Sequence, residues 1–325
     1  MMAVRISAAL LAVLVTLGAA SAPSQAQSQN WPTRPVKFIV PFGPGAAADI
    51  GARLFAEKLS QRWGQPVVID NRPGGDSIIA ISAFLGTDDD HTFLYMPSGN
   101  FTVHPFVHSK LPYDPKDLVP IARASNTILA VALAKSSPYT NVREFTEAAR
   151  AAPGKFNSGL VAGLTEFTFW AYTYAEKLNI AQVPYRDINQ APTDLAEGRI
   201  QVAMASLAIL QPQWKADRIK LIAVNNKERT DLVPGVPTAR EQGYPSLVFE
   251  GLHGLIGRTT TPRALKEKIA ADFKEAAADG SIAARLAATG SVINVGGPDE
   301  FAADIEEQRA AVAATVKAID FKPKN

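Results

Sequence analysis

Several short segments of this 325-residue chain carry residue types that can hold a small anion. Residues 42–48 read Phe-Gly-Pro-Gly-Ala-Ala-Ala, between a β-branched run and a helical pattern. The first amides of a helix have no partner within it, and the aligned peptide dipoles put partial positive charge there. Such N–H groups can hold a carboxylate without any arginine. An ordinary strand-to-helix turn with Asp49 as N-cap accounts for the same residues. Pro97-Ser98-Gly99-Asn100 follows another strand-like run. Ser98 Oγ, the Asn100 amide and the local backbone can donate to an anion; a plain turn is the alternative. Residues 159–165 are small and open a further helical pattern, so they can present a second set of amides, with Thr165 as a simple N-cap. Tyr185-Arg186 ends another strand-like run, and Arg186 can take a carboxylate in a forked geometry or lie on the surface. Phe101, Phe167, Phe169 and Trp170 can floor an aromatic ligand, although aromatics at helical spacing more often fill a core.

Catalytic patterns are missing where they are most readable. No Gly-x-Ser-x-Gly elbow surrounds Ser98, Ser158 or Ser206. Gly43-Pro44-Gly45 is not a dinucleotide fingerprint, because Pro44 lacks the N–H that a phosphate needs and no third glycine follows in step. His104 and His108 are four apart, yet Pro105 interrupts them and no Glu follows His104, so the spacing is not that of a zinc helix. Asp88-Asp89-Asp90 lacks the alternating ligands of a calcium loop. With no cysteine and four histidines, disulfides, thiolate metal sites and a Cys nucleophile are excluded. No metal or cofactor is expected.

These segments must be positioned by a scaffold, and the hydrophobic pattern describes one. Strands are predicted at 36–42, 67–69, 92–96, 128–134, 156–159, 181–185, 200–205, 219–224 and 248–255. Helices are predicted at 49–63, 78–85, 141–151, 165–178, 190–197, 262–278, 281–288 and 298–318. Strands alternating with helices imply α/β lobes with mostly parallel sheets, in which ligands sit beyond the carboxyl ends of strands. Two successive strand–loop–helix runs, 36–120 and 128–224, imply two lobes. The C-terminal helices lack strands for a third domain and are expected to return to the first. The expected division is 27–124 plus 227–325 for lobe I and 125–226 for lobe II.

The first 26 residues read as a secretory signal. Arg5 supplies the basic start, residues 8–20 an uncharged apolar run, and Ser24-Gln25-Ala26 small residues before a cut. Cleavage near Ala26 and a periplasmic mature chain are expected. With 33 basic against 31 acidic residues the net charge is +2, which gives no bulk electrostatic case for nucleic acid or an anionic membrane surface.

Other residues resemble a known family. Trp31-Pro32-Thr33-Arg34-Pro35-Val36, then Phe38-Ile39-Val40-Pro41-Phe42-Gly43-Pro44-Gly45 with Asp49-Ile50, is similar to the opening of mature Bug-type proteins, the periplasmic receptors of tripartite tricarboxylate transporters. In the same order follow Asn71-Arg72-Pro73-Gly74-Gly75, Leu111-Pro112-Tyr113-Asp114-Pro115, Val183-Pro184-Tyr185-Arg186, Asp194-Leu195 and Pro234-Gly235-Val236-Pro237-Thr238. The resemblance implies a two-lobe clamshell of the periplasmic-binding-protein kind. It implies a receptor rather than an enzyme, and a small organic anion (mono-, di- or tricarboxylate) as ligand. It also implies two integral membrane subunits as partners; a monomer is expected. The resemblance makes the 42–48 turn a ligand loop; taken with the residue chemistry above, the candidate ligand contacts are Phe42, Pro44, Gly45, Ala46, Ala47, Asp49, Ser98, Gly99, Asn100, Gly163, Thr165, Tyr185, Arg186 and Ser206. Three departures stand out: Ala46 to Ala48 where relatives carry glycines, Glu166 where they carry Ser, Thr or His, and Asp187 after Arg186. The first implies a tighter turn or smaller pocket. A carboxylate at Glu166 would repel an anion unless turned away. An exported α/β hydrolase or isomerase, and a sensor receptor, are the competing functions.

Overall fold

A computed structural model describes residues 31–160, 164–183, 185 and 188–322. The proposed signal segment, Gly163 and Arg186 lie outside the described residues. In chain order the elements are β1 (Val36–Val40), α1 (Ala47–Trp63), β2 (Val67–Asn71), α2 (Ile78–Leu85), β3 (Thr92–Pro97), α3 (Ser98–Val107), β4 (Leu118–Thr127) and β5 (Leu129–Ala134). Then come α4 (Val142–Ala151), β6 (Phe156–Leu160), α5 (Leu164–Ala175), β7 (Ile180–Val183), α6 (Ala191–Ala196), β8 (Val202–Ser206), α7 (Leu207–Lys215) and β9 (Ile219–Val224). The chain ends with β10 (Gly251–Arg258), α8 (Arg263–Ala277), α9 (Gly280–Ala288), β11 (Ser291–Gly296) and α10 (Pro298–Ala318).

Two sheets result. The first runs β11-β4-β10-β3-β1-β2 and the second β7-β6-β8-β5-β9. β1 is parallel to β2 and β3, and β6 is parallel to β7 and β8. The expected α/β lobes are present, but the sheets are mixed rather than mostly parallel. β10 is antiparallel to β3 and β4, β11 to β4, and β5 to β8 and β9. The cause is the crossing between lobes. Only Ile128 separates β4 from β5, so the chain passes from sheet to sheet as nearly one strand. A parallel neighbour needs a crossover helix, and there is none here.

Alternation along the strands explains helices on both faces. Phe38 and Val40 enter one core with Phe55 and Phe273, under α1 and α8. Ile39 points the other way, with Phe84 and Phe301 under α2 and α10. In the second lobe Ala130 and Ala132 face one core while Val131 and Leu133 face the other. A period of two with apolar residues on both sides is what a sheet covered on both faces requires. α1 ends where Gly64 adopts the left-handed conformation at φ 64° and its N–H bonds the Ser60 carbonyl. The same helix end is tied to α8, because Asp272 accepts from Trp63 Nε1 and Lys268 Nζ, each at 2.7 Å.

Where the chain crosses between lobes, backbone and amide side chains pair closely. Ile128 N–H donates to the Gly290 carbonyl at 2.9 Å, and Leu207 N–H to the Ile128 carbonyl at 2.8 Å. Asn226 Oδ1 accepts from Leu129 N–H at 3.1 Å, while Asn226 Nδ2 donates to the Thr127 carbonyl at 3.2 Å. Glu250 accepts from the Lys227 N–H at 2.6 Å and also from Asn126 Nδ2. Its burial raises the carboxyl above the ordinary range, partly offset by those donors. α10 spans the lobes on one side: Val312 packs with Val103 of α3 and Phe167 of α5, and Phe321 lies 5.2 Å from Phe167. Among the described residues no helix is long and apolar enough to cross a membrane.

Candidate functional site

Parallel pairing places strand ends together. Because β1 lies beside β3 in parallel, the turn holding Phe42 to Ala47 and the start of α3 share one edge of the first sheet. β6 beside β8 does the same for the start of α5 and for Ser206 in the second. The two edges meet: a Cβ built on Gly99 would lie 3.0 Å from Leu164 Cδ2. The strand-to-helix junctions of both lobes therefore face each other across a cleft.

The β1–α1 junction is shaped by Asp49. Gly45 takes φ +88°, a conformation side chains rarely adopt, and its N–H donates to Asp49 Oδ2 at 2.9 Å. Asp49 is 1% exposed. It also accepts from Asn71 Nδ2 at 2.8 Å and from Arg53 Nε at 3.0 Å. Asn71 reaches the Phe42 carbonyl as well, at 2.8 Å. Burial alone would raise the Asp49 carboxyl, but these donors outweigh it and hold it below the usual range. Asp49 is thus not the N-cap, and its carboxylate is engaged behind the turn. It is a positioning residue behind the turn. Ala46 is the N-cap, without a side-chain bond. The helical ladder begins with Ile50 N–H to the Ala46 carbonyl at 2.9 Å, which leaves the amides of Ala47, Ala48 and Asp49 outside it. Pro44 and Gly45 are exposed, Phe42, Ala46 and Ala47 half-buried, and nothing lies within 4 Å of a Cβ built on Gly43 or Gly45.

Three of the other side chains expected at the ligand, Ser98, Asn100 and Tyr185, bond within the protein. Ser98 is fully buried, and its hydroxyl donates to Gln308 Oε1 at 2.7 Å, while Gln308 Nε2 donates to the Glu250 carbonyl at 2.7 Å. Asn100 Nδ2 donates to Ser77 Oγ at 2.9 Å. The segment after β3 is a helix from Ser98 itself, with Pro97 as N-cap and no side-chain cap. Tyr185 lies over β6, where a Cβ on Gly159 would come within 3.1 Å of its Cε2. Its hydroxyl donates to Asp194 Oδ2 at 2.9 Å, and burial with that bond pushes it up to about 12. Thr165 is buried near the start of α5. Ser206 caps α7 without a side-chain bond, beside the crossing where the Leu207 N–H is already used. Glu166 lies beside Gln182 of its own lobe, whose amide, turned so that its nitrogen faces the carboxylate, donates to Oε1 at 3.2 Å.

The aromatics are core. Phe101 joins the first lobe's core and Phe169 the second's. Phe167 and Trp170 pack on Phe321. Arg53 and Gln308 were not singled out from sequence, and Asn71 only as part of a family segment. Only the Asp49–Arg53 pair, four apart on a helix, left a readable signal.

Two hollows lie beside the cleft. One of about 310 Å³ runs between α5, α10 and residues 245–250; another of about 460 Å³ lies under residues 226–232. Both include Lys227, Glu250 and Asp304, and the first adds Glu307. The first is lined by more acidic than basic groups, which opposes an anion, whereas the second mixes Arg123, Lys227 and Arg229 with its carboxylates. Amides at a helix start suit an anion.

The chain matches the family model described as "Tripartite tricarboxylate transporter family receptor" over residues 51–321. It is 30% identical over 300 residues to a UPF0065 protein of Bordetella bronchiseptica, covering 92% of this chain and 89% of that one. It is 24% identical over 321 residues to the protein BugT of Bordetella pertussis, covering 97% and 98%. The structure of the R. palustris protein Rpa4515 with adipate superposes with a TM-score of 0.76 at 27% identity, covering 90% of this chain and all of that one (100%). The chain belongs to the tripartite tricarboxylate transporter receptor family, a family of solute-binding receptors.

Proposed function

We propose that this member of the tripartite tricarboxylate transporter receptor family captures a small organic carboxylate between its lobes and hands it to a membrane transporter. The observation that carries the reading is the opposition of helix starts. The Ala47 to Asp49 amides lie at the edge of one sheet, and the starts of α3 and α5 meet at Gly99 and Leu164. Two facing sets of uncharged donors suit a molecule with a carboxylate at each end. They hold it without a fixed counter-charge and so release it on opening. The adipate in the structure of Rpa4515 supports dicarboxylates as the first class to test. Pro44, Gly45, Ala46, Ala47 and Gly99 provide the first-lobe surface; Gly163, Thr165, Arg186 and Ser206 are the candidates from the second.

Closure desolvates the ligand and creates the surface that two integral membrane subunits read. The chain is exported, loses its first 26 residues and works as a periplasmic monomer without turnover. A thermal-shift screen with mono-, di- and tricarboxylates, aliphatic and aromatic, tests the reading. At about a hundredfold excess over Kd a ligand adds about 2.7 kcal/mol of stability. A shift by an acid, with none by sugars or amines, is expected. A shift by a sugar or cation alone contradicts it, and product formation abolished by Ser98→Ala would favour an exported hydrolase.

A further inference from the structure

Pro105 does not break α3. The helix runs through it to Val107, and His108 N–H closes the last turn on the His104 carbonyl at 3.1 Å. His104 and His108 therefore sit one turn apart on one face, with ring centroids 5.2 Å apart and planes at 85°. A third group, invisible to helical spacing, comes from the loop before α2. Asp76 Oδ2 lies 3.2 Å from His104 Nε2 and 3.5 Å from His108 Nε2.

We propose that Asp76, His104 and His108 form a binding site for a divalent transition ion of the zinc class, open on its remaining side to solvent. The distances favour it. Tetrahedral zinc with ligand bonds of about 2.0–2.1 Å spaces its ligand atoms roughly 3.3 Å apart, and the two contacts to Asp76 bracket that value. One ligating atom from each of the three residues lies within 4.8 Å of the others.

His104 supplies the second observation. It is fully buried, and its Nε2 faces the Asp76 carboxylate at 3.2 Å without the alignment of a regular hydrogen bond. Its Nδ1 lies 2.7 Å from the Tyr113 hydroxyl. A metal-bound imidazole needs an outer partner on its other nitrogen to fix tautomer and orientation, and Tyr113 provides it. Asp76 is held in place at some cost: it and Ser77 take φ +50° and +70°, where ordinary side chains are strained. Asn100 braces this loop through Ser77 Oγ at 2.9 Å. Asp76 is 53% and His108 31% exposed on the side-chain scale, so an ion can enter and keep a water. Nitrogen ligands select a borderline transition ion over calcium or magnesium. The site does not depend on the reading of the cleft.

Calorimetric titration of the untagged, chelator-treated protein with Zn²⁺ tests this. One equivalent should bind, with Mg²⁺ and Ca²⁺ silent. His108→Ala and Asp76→Asn, both at accessible positions, should each weaken binding at least tenfold while circular dichroism stays native. Tyr113→Phe should weaken it by roughly 10–100-fold, and Co²⁺ in the wild type should give the visible absorption of a tetrahedral site. Equal zinc affinity in the wild type, His108→Ala and Asp76→Asn overturns the proposal. So does the absence of zinc binding by the wild type.

Discussion

The Asp49 carboxylate accepts the Gly45 backbone N–H at 2.9 Å, so the turn that opens on the cleft is latched from behind by the helix it feeds. A buried carboxylate, balanced by Arg53 and Asn71, fixes the backbone. The amides of Ala47 to Asp49 lie ahead of the helical ladder, which begins at Ile50.

Asp49→Ala should therefore cost about 1–2 kcal/mol of stability, because the Gly45 N–H, Asn71 and Arg53 lose the acceptor they share. It should also weaken the best carboxylate. Asp49→Asn keeps one acceptor for the Gly45 N–H and should lose about half as much. Urea denaturation and calorimetry measure both. An Asp49→Ala protein with unchanged stability and affinity contradicts this role.

Gly45 faces open space but holds φ +88°. Gly45→Ala should cost about 1–2 kcal/mol from backbone strain alone. Gly45→Leu should cost little more in stability, since nothing crowds the side chain, but should occupy the ligand's place. Thermal unfolding near that of Gly45→Ala with abolished ligand binding is the expected pair of results; full binding by Gly45→Leu contradicts it.

Gly99 tests the facing of the lobes. A Cβ there meets the far end of Leu164 at 3.0 Å. Gly99→Val should wedge the edges apart with little effect on either lobe's core. We expect about 1–2 kcal/mol off the closing step, roughly 5–30-fold in Kd. A small increase in radius of gyration in the liganded state should accompany it. Wild-type affinity and wild-type scattering together would count against close approach at this point.

His253 sets a pH dependence. Burial pushes its imidazole down to about 4 from an ordinary 6.5. Between those values the unfolded chain takes up a proton that the folded one refuses, so this group lowers stability as pH falls from 6.5 to 4 and adds nothing further below. His253→Asn retains a polar partner for Thr127, which lies 3.2 Å from His253 Nδ1, and should flatten this part of the profile. Urea midpoints at several pH values in that window measure it. Identical slopes in variant and wild type would remove His253 as the cause.

The lobes were legible because their strands are apolar on both faces and their helices strongly periodic. Ile78–Leu85, Ile219–Val224 and Pro298–Ala318 match expectation residue for residue. Four elements escaped. α3 was hidden by Gly99 and Pro105, and α7 by Pro212, because prolines inside a helix mask its pattern. β4 carries Pro120, Arg123 and Asn126, and β11 is only partly buried, with Asn294 and Gly296 in its run. The site was legible as loops, not as contacts. Ser98, Asn100 and Tyr185 bond to Gln308, Ser77 and Asp194. Two of these partners are distant in sequence, and Asp194, nine residues on, comes from a separate element; no local pattern announces them.

A crystal structure of the protein grown with its best-binding dicarboxylate tests the central claim most directly. One carboxylate should lie about 2.7–3.2 Å from the backbone N–H groups at the start of α1, with the other end against the start of α5. A guest in the acidic groove between α5 and α10, or one held without any contact to those amides, would contradict the account.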